Sequence, residues 1–282
     1  MSEVPTVKLN NGIEMPVLGF GVFQMSNEEA EESVLAALKA GYRSIDTATS
    51  YGNEEAVGRA IKQSGVPREE LFITSKLWLS DYSEEKAKEG VQRSLDKLEL
   101  DYLDLYLLHQ PYSDAFGAYR GLEAAYDAGK LKAIGISNFN TVQTYDLHFN
   151  ARIKPMVSQI ETNPFNQQTE AHELLGELGI VHEGWAPFAE GQHDIFKNEA
   201  LANLAKKHSK SVSQVIIRWN IQRGVVAIPK SVKNERILEN FDVFNFELSA
   251  EDIVTIASLD QKLNMVNHND PAFLKYLYQR LL

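Results

Sequence analysis

The chain has 282 residues, a formal charge of −11 and no cysteine, with 44% hydrophobic and 24% charged residues, an ordinary globular composition. The negative charge argues against nucleic acid and anionic membranes as partners, and the missing cysteines exclude disulfides, thiolate metal sites and a thiol nucleophile. No run approaches the roughly 20 apolar residues of a membrane helix, and MSEVPTVKLNNG lacks the basic and apolar regions of a secretory signal, so a cytoplasmic protein is expected, with monomer the default oligomeric state.

The first fourteen residues read as a hairpin, with Asn11-Gly12 supplying a turn at positive φ. One rhythm then holds. Apolar runs at 17–21, 44–48, 71–76, 103–108, 131–136, 156–160, 181–185 and 225–228 are each followed by helix-patterned sequence. Ala30, Val34 and Leu38 recur at helical spacing. Gly41, Gly65, Gly129, Gly179 and Gly224 stand where helices should stop, because a residue without Cβ adopts the left-handed cap freely. Asn53-Glu54-Glu55 has the pattern of a capped helix start. Strands alternating with helices require right-handed crossovers and a parallel sheet. The pattern predicts an α/β fold, a closed (β/α)8 TIM barrel with an N-terminal β-hairpin, as one domain over 1–282. An open dinucleotide-binding sheet fits poorly, since LGFGVFQ lacks the third glycine of its fingerprint.

In such a barrel the chemistry belongs at the C-terminal ends of the strands. Those ends read Asp46, Lys76, His109, Ser137-Asn138, Gln159, Trp185 and Lys230-Ser231. Asp46, Lys76 and His109 close successive strands, which lie about 4.8 Å apart in a sheet, and Tyr51 sits on the loop beside them. Each alone has a structural explanation: a solvated histidine, a packed tyrosine, a buried ion pair. Four such groups pointing at one place favour a site. A lysine beside a tyrosine lowers the phenol's pKa, and an aspartate keeps that lysine charged. The expected chemistry is proton delivery to a developing alkoxide, with His109 orienting the carbonyl oxygen.

DTATSYGNEEAVG, ITSKLW, LLHQP, GISNF, QIE and IPKSVKNERILEN, in this order along the chain, resemble the aldo-keto reductases, closest in style to short bacterial members akin to 2,5-diketo-D-gluconate reductases. The resemblance implies NADPH bound to a TIM barrel and reduction of a small-molecule carbonyl substrate; separately, no metal cluster is visible among the seven histidines. It puts the tetrad on Asp46, Tyr51, Lys76 and His109, with Tyr51 as general acid. It implies nicotinamide contacts from Ser137, Asn138 and Gln159, and stacking by Trp185 where tyrosine is usual. Lys230, Ser231 and Arg236 gather cations and a hydroxyl at a helix start, as a 2′-phosphate requires; Lys233 adds to that patch, and Glu239 and Asn240 match adenine-side contacts. Phe23 and Trp78 match pocket aromatics. Gln110 replaces a tryptophan common among relatives, which points to polar substrates such as α-dicarbonyls or keto-sugars. Ala186 and Glu190 replace serines near the expected pyrophosphate, an awkward place for an acid. Substrate selection is implied to lie in loops after the first, fourth and seventh strands and in the tail NHNDPAFLKYLYQRLL.

Two other readings compete. Lys76 as an amine nucleophile would make a Schiff-base lyase, but an Asp46 partner keeps it protonated. A non-enzymatic, NADPH-binding redox-sensing barrel would keep the fold without turnover. His172-Glu173 and His182-Glu183 lack the second histidine of a zinc-protease motif, and GISNF is no nucleophile elbow.

Overall fold

The computed structural model describes residues 4–279; Met1–Glu3 of the expected hairpin stretch and Arg280–Leu282 of the tail lie outside the described residues. Strands β1 (Thr6–Lys8) and β2 (Glu14–Pro16) pair antiparallel across the Asn11-Gly12 turn, where Gly12 has φ 93°. This two-stranded ribbon is separate from the main sheet.

The main sheet is built from strand–helix units in chain order. β3 (Phe20–Gly21) leads to α1 (Asn27–Ala40), β4 (Ser44–Asp46) to α2 (Glu54–Ser64), and β5 (Phe72–Leu77) to α3 (Glu84–Leu98). β6 (Leu105–Leu108) leads to α4 (Ala115–Asp127), β7 (Ile134–Ser137) to α5 (Thr141–Asn150), and β8 (Val157–Glu161) to α6 (Thr169–Glu177). Two helices, α7 (Glu199–His208) and α8 (Val212–Gln222), follow β9 (Val181–Trp185). β10 (Val226–Ala227) leads to α9 (Asn234–Phe241), and α10 (Ala250–Ala257) and α11 (Pro271–Gln279) complete the described chain.

The eight strands β3 to β10 pair in parallel in sequence order. The first and last also meet: Leu18 bridges Ala227, the Gly19 N–H donates to the Ala227 carbonyl at 2.9 Å, and the Gly21 N–H donates to that of Pro229 at 3.1 Å. The sheet therefore closes on itself as the expected (β/α)8 barrel, which leaves it no free edge. Its strands are shorter than the apolar runs suggested: Thr47 and Ala48 lie beyond β4, and Val225 and Ile228 flank β10.

Helix ends follow the glycine pattern, with Gly41 at φ 115° and Gly65 at φ 67°. The start of α2 departs from expectation. Asn53 occupies the cap position, but its side chain makes no cap bond; it accepts from Thr47 Oγ1 at 2.8 Å and donates to the Val22 carbonyl at 3.0 Å. It ties the loops after β3 and β4 together instead of capping the helix. The apolar core lies between strands and helices, with Val34 and Leu38 of α1 and Val91, Leu95 and Leu98 of α3 all buried.

Candidate active site

β4 ends on Asp46, β5 carries Lys76 near its end, and His109 directly follows β6, so three adjacent strands deliver these side chains to one rim. Lys76 has no exposed surface, and all three donors of its ammonium have partners: Asp46 Oδ1 at 2.6 Å, the Thr47 carbonyl at 2.9 Å and Tyr51 Oη at 3.3 Å. Tyr51 ends a short turn (Thr49–Tyr51), and Gly52 at φ 71° lets the chain leave it. The Tyr51 ring meets Phe23 with centroids 4.9 Å apart and His109 at 5.7 Å, while Trp78 stands edge-on to His109 at 5.1 Å.

The electrostatics differ in one respect from expectation. Burial raises the Tyr51 phenol above its ordinary value, and this outweighs the lowering by the Lys76 charge; Asp46 adds to the rise. The phenol therefore holds its proton throughout the neutral range. Burial pulls the Lys76 ammonium down, but Asp46 and Tyr51 more than restore it and leave its pKa above the usual value. Burial, with the nearby Lys76 charge, holds His109 well below the usual imidazole range, so the ring is neutral. Ser50 Oγ lies 3.3 Å from its Nδ1.

Further round the rim, Asn138 Nδ2 donates to the His109 carbonyl at 2.9 Å and Asn138 Oδ1 accepts from Trp185 Nε1 at 2.9 Å. Asn138 is thus already engaged within the chain on both sides of its amide. Ser137 Oγ is buried without a partner. Gln159, on the far side of the barrel, reaches across to donate from Nε2 to Asp46 Oδ2 at 2.9 Å and to Glu183 Oε2 at 2.8 Å. Both of its N–H bonds are used, which leaves the amide oxygen to accept from another group.

Beyond β10, Lys230 and Arg236 are exposed and make no ion pair within the described chain, while Ser231 Oγ is buried and caps the Lys233 N–H at 3.1 Å. Lys233, also exposed, precedes α9, whose first turn has no side-chain cap. Asn240 is buried on the last turn of α9, and Glu239 accepts a hydrogen bond from the Ser211 hydroxyl, so one of its oxygens is committed to α8. Glu190 is exposed and Ala186 half-buried, both at positive φ in the loop after β9. Gln110 is buried; its backbone N–H and carbonyl both bond the Tyr82 hydroxyl, and its Oε1 has no partner.

A sequence profile of the Aldo/keto reductase family matches residues 17–261. The chain belongs to the aldo/keto reductase family. It is 52% identical over 258 residues to the glyoxal reductase of Bacillus subtilis, covering 91% of this chain and 93% of that one. Its fold superposes with TM-score 0.92 on an aldo-keto reductase from a Medee basin deep-sea metagenome library, at 47% identity over 94% of this chain and 98% of that one. It superposes with TM-score 0.91 on a Bombyx mori aldo-keto reductase in complex with NADP, at 35% identity and 98% coverage of both chains.

In this aldo/keto reductase, several site neighbours escape sequence reasoning. Glu183 is fully buried and bonded to Gln159, and it is an acid on the same strand face as Trp185. That signal is visible in the sequence once the strand face is assigned. His268, brought in by the tail, adds to the depression of the His109 pKa, and the Tyr112 hydroxyl donates to the His268 carbonyl. Glu161 binds the tail as well, accepting from the Met265 N–H at 2.9 Å.

Proposed function

We propose that this protein reduces small polar carbonyl compounds, with α-dicarbonyls such as glyoxal first among them, to alcohols at the expense of NADPH. The observation that carries the reading is the Tyr51 hydroxyl, 3.3 Å from a fully buried Lys76 that is itself held by Asp46, with His109 against the same ring.

Tyr51 serves as the acid. Its raised pKa keeps the proton available at neutral pH, and Lys76 stabilises the phenolate left after transfer. Asp46 and the Thr47 carbonyl fix the ammonium in place. Ser50 Oγ lies 3.3 Å from Nδ1 of the neutral His109; in the tautomer in which the hydroxyl donates to Nδ1, the Nε2–H holds the carbonyl oxygen where the negative charge develops. Phe23 packs against the Tyr51 ring and Trp78 edge-on against that of His109, which gives the carbonyl an aromatic surround. The buried, fully paired state of Lys76 disfavours a Schiff-base role, which needs a neutral, accessible amine.

The residues present fit a nicotinamide dinucleotide. The unpartnered Ser137 Oγ and the open oxygen of Gln159 suit a carboxamide, and half-buried Trp185 offers a face for the ring. Lys230, Ser231 and Arg236, beside the uncapped start of α9, suit a 2′-phosphate. Bound there, NADPH supplies the hydride. The names of two relatives support the same reading, a glyoxal reductase and a structure in complex with NADP.

The test is NADPH oxidation across glyoxal, methylglyoxal, keto-sugars, simple aldehydes and ketosteroids. Fastest turnover on the small dicarbonyls is expected. Turnover confined to apolar ketones, or none on any carbonyl despite cofactor binding, would contradict the reading.

A further inference from the structure

Ser137, Gln159 and Glu183 are register partners on β7, β8 and β9, so they form one row across three adjacent strands. Asp46 lies opposite, on β4, and Gln159 spans the barrel interior to reach it. The result is a continuous chain of hydrogen bonds: Tyr51, Lys76, Asp46, Gln159, Glu183. The proposed mechanism uses the first four members and leaves the last without a role. Burying an acid with no cation against it is costly, and Glu183 has no exposed surface. Its Oε2 accepts from Gln159 at 2.8 Å, while its Oε1 is buried with no partner.

We propose that Glu183 is a positioning residue of this active site: as a neutral carboxylic acid it anchors the Gln159 amide and leaves Asp46 as the only anion beside Lys76. The inference rests on the proposed function, because its consequence is read through NADPH and carbonyl reduction. Asp46 and Glu183 together take both N–H bonds of Gln159, which fixes the amide with its oxygen turned to the remaining side. An amide that flipped would present N–H groups to the carboxamide in place of an acceptor. The anchor therefore fixes Gln159 as an acceptor, matched to the N–H of the carboxamide and not to its oxygen.

Neutrality matters for the other half of the chain. The titratable groups around Glu183 are Asp46 from β4, Lys76 from β5 and Tyr51 from the turn after β4; neighbouring β10 contributes only Val226 and Ala227 beside it. Burial, then the Asp46 charge, pushes the Glu183 carboxyl up to about 8. Below that pH the proton sits on Glu183 and Lys76 serves one carboxylate. Above it, a second buried anion raises the Tyr51 phenol further and makes it a poorer acid. Reduction is expected to weaken as pH rises through about 8, although neither Tyr51 nor His109 titrates there.

The test combines NADPH binding by fluorescence with pH profiles of kcat, in the native protein and in E183Q, E183A and Q159A. E183Q keeps the anchor and cannot ionise; it should bind NADPH within about twofold of native and lose the alkaline limb. E183A removes the anchor and should weaken NADPH about tenfold at every pH, as should Q159A. An alkaline limb unchanged in E183Q would overturn the inference, and that variant keeps the test open if E183A does not fold. Binding lost in Q159A but intact in E183A would overturn the Glu183 role alone. Binding intact in Q159A would remove the contact assigned to Gln159, and failure of the native protein to bind NADPH would remove the functional reading and this inference with it.

Discussion

Tyr51 Oη lies 3.3 Å from Lys76 Nζ, yet burial outweighs that ammonium in setting the acidity of the phenol. The arrangement suits the proposed proton donation, in which the acid keeps its proton until a carbonyl oxygen develops charge and the lysine then meets the phenolate. His109, held neutral by burial and by Lys76, is available as a donor over the same range. Turnover in the reducing direction should therefore show no inflection near pH 6.5. An acid limb centred there would mean that His109 titrates like a free imidazole.

Glu183 predicts a pH-dependent stability. Its carboxyl is raised from 4.5 to about 8 in the fold, so between those values the folded state binds more protons than the unfolded one. Stability then falls as pH rises through that window, by up to about 1.4 kcal/mol per pH unit. The gain in unfolding free energy of E183Q over native should grow from pH 5 to pH 8, measured by urea denaturation. A difference that stays constant across this range would show that Glu183 does not take up the extra proton.

The basic patch makes a prediction about cofactor choice. Lys230 and Arg236 are exposed and make no ion pair among the described residues, so replacing either with alanine costs the fold little. Each replacement should weaken NADPH by roughly tenfold or more, the scale of a hydrogen bond to a charged group, and leave NADH nearly unmoved. Equal losses for the two cofactors would show that the patch does not read the 2′-phosphate.

Gly135 on β7 tests the packing beneath the rim. A Cβ there would stand 2.3 Å from the Val157 carbonyl oxygen and 2.8 Å from Leu107 Cδ2. Both neighbours belong to adjacent strands, so the backbone must shift to admit it. Gly135→Ala should destabilise the barrel by about 1–3 kcal/mol or more, seen as a lower thermal midpoint. An unchanged midpoint would show that β7 and β8 separate easily.

What the sequence reveals divides along the range of the interactions. Strand ends and helix stops are local, so the rhythm of apolar runs and glycines gives the barrel, and the barrel brings Asp46, Tyr51, Lys76 and His109 to one rim. Asn53 misleads because its partners, Val22 and Met25, lie in another loop; a cap motif is local and these bonds are not. The Tyr51 acidity misleads because desolvation depends on which rings pack against it. The strand pattern puts Glu183 on an inward face but not beside its partners, because Gln159 belongs to the preceding strand and Asp46 to the opposite wall.

The most direct measurement compares Tyr51→Phe with the native protein on glyoxal, following NADPH oxidation and NADPH binding side by side. The phenyl ring keeps its packing against Phe23 and His109 and loses the hydroxyl, with its proton and the hydrogen bond it accepts from Lys76. Binding should hold within a few-fold while kcat falls by about a thousandfold, within the range for losing a general acid. Near-native turnover in Tyr51→Phe would contradict proton delivery by Tyr51.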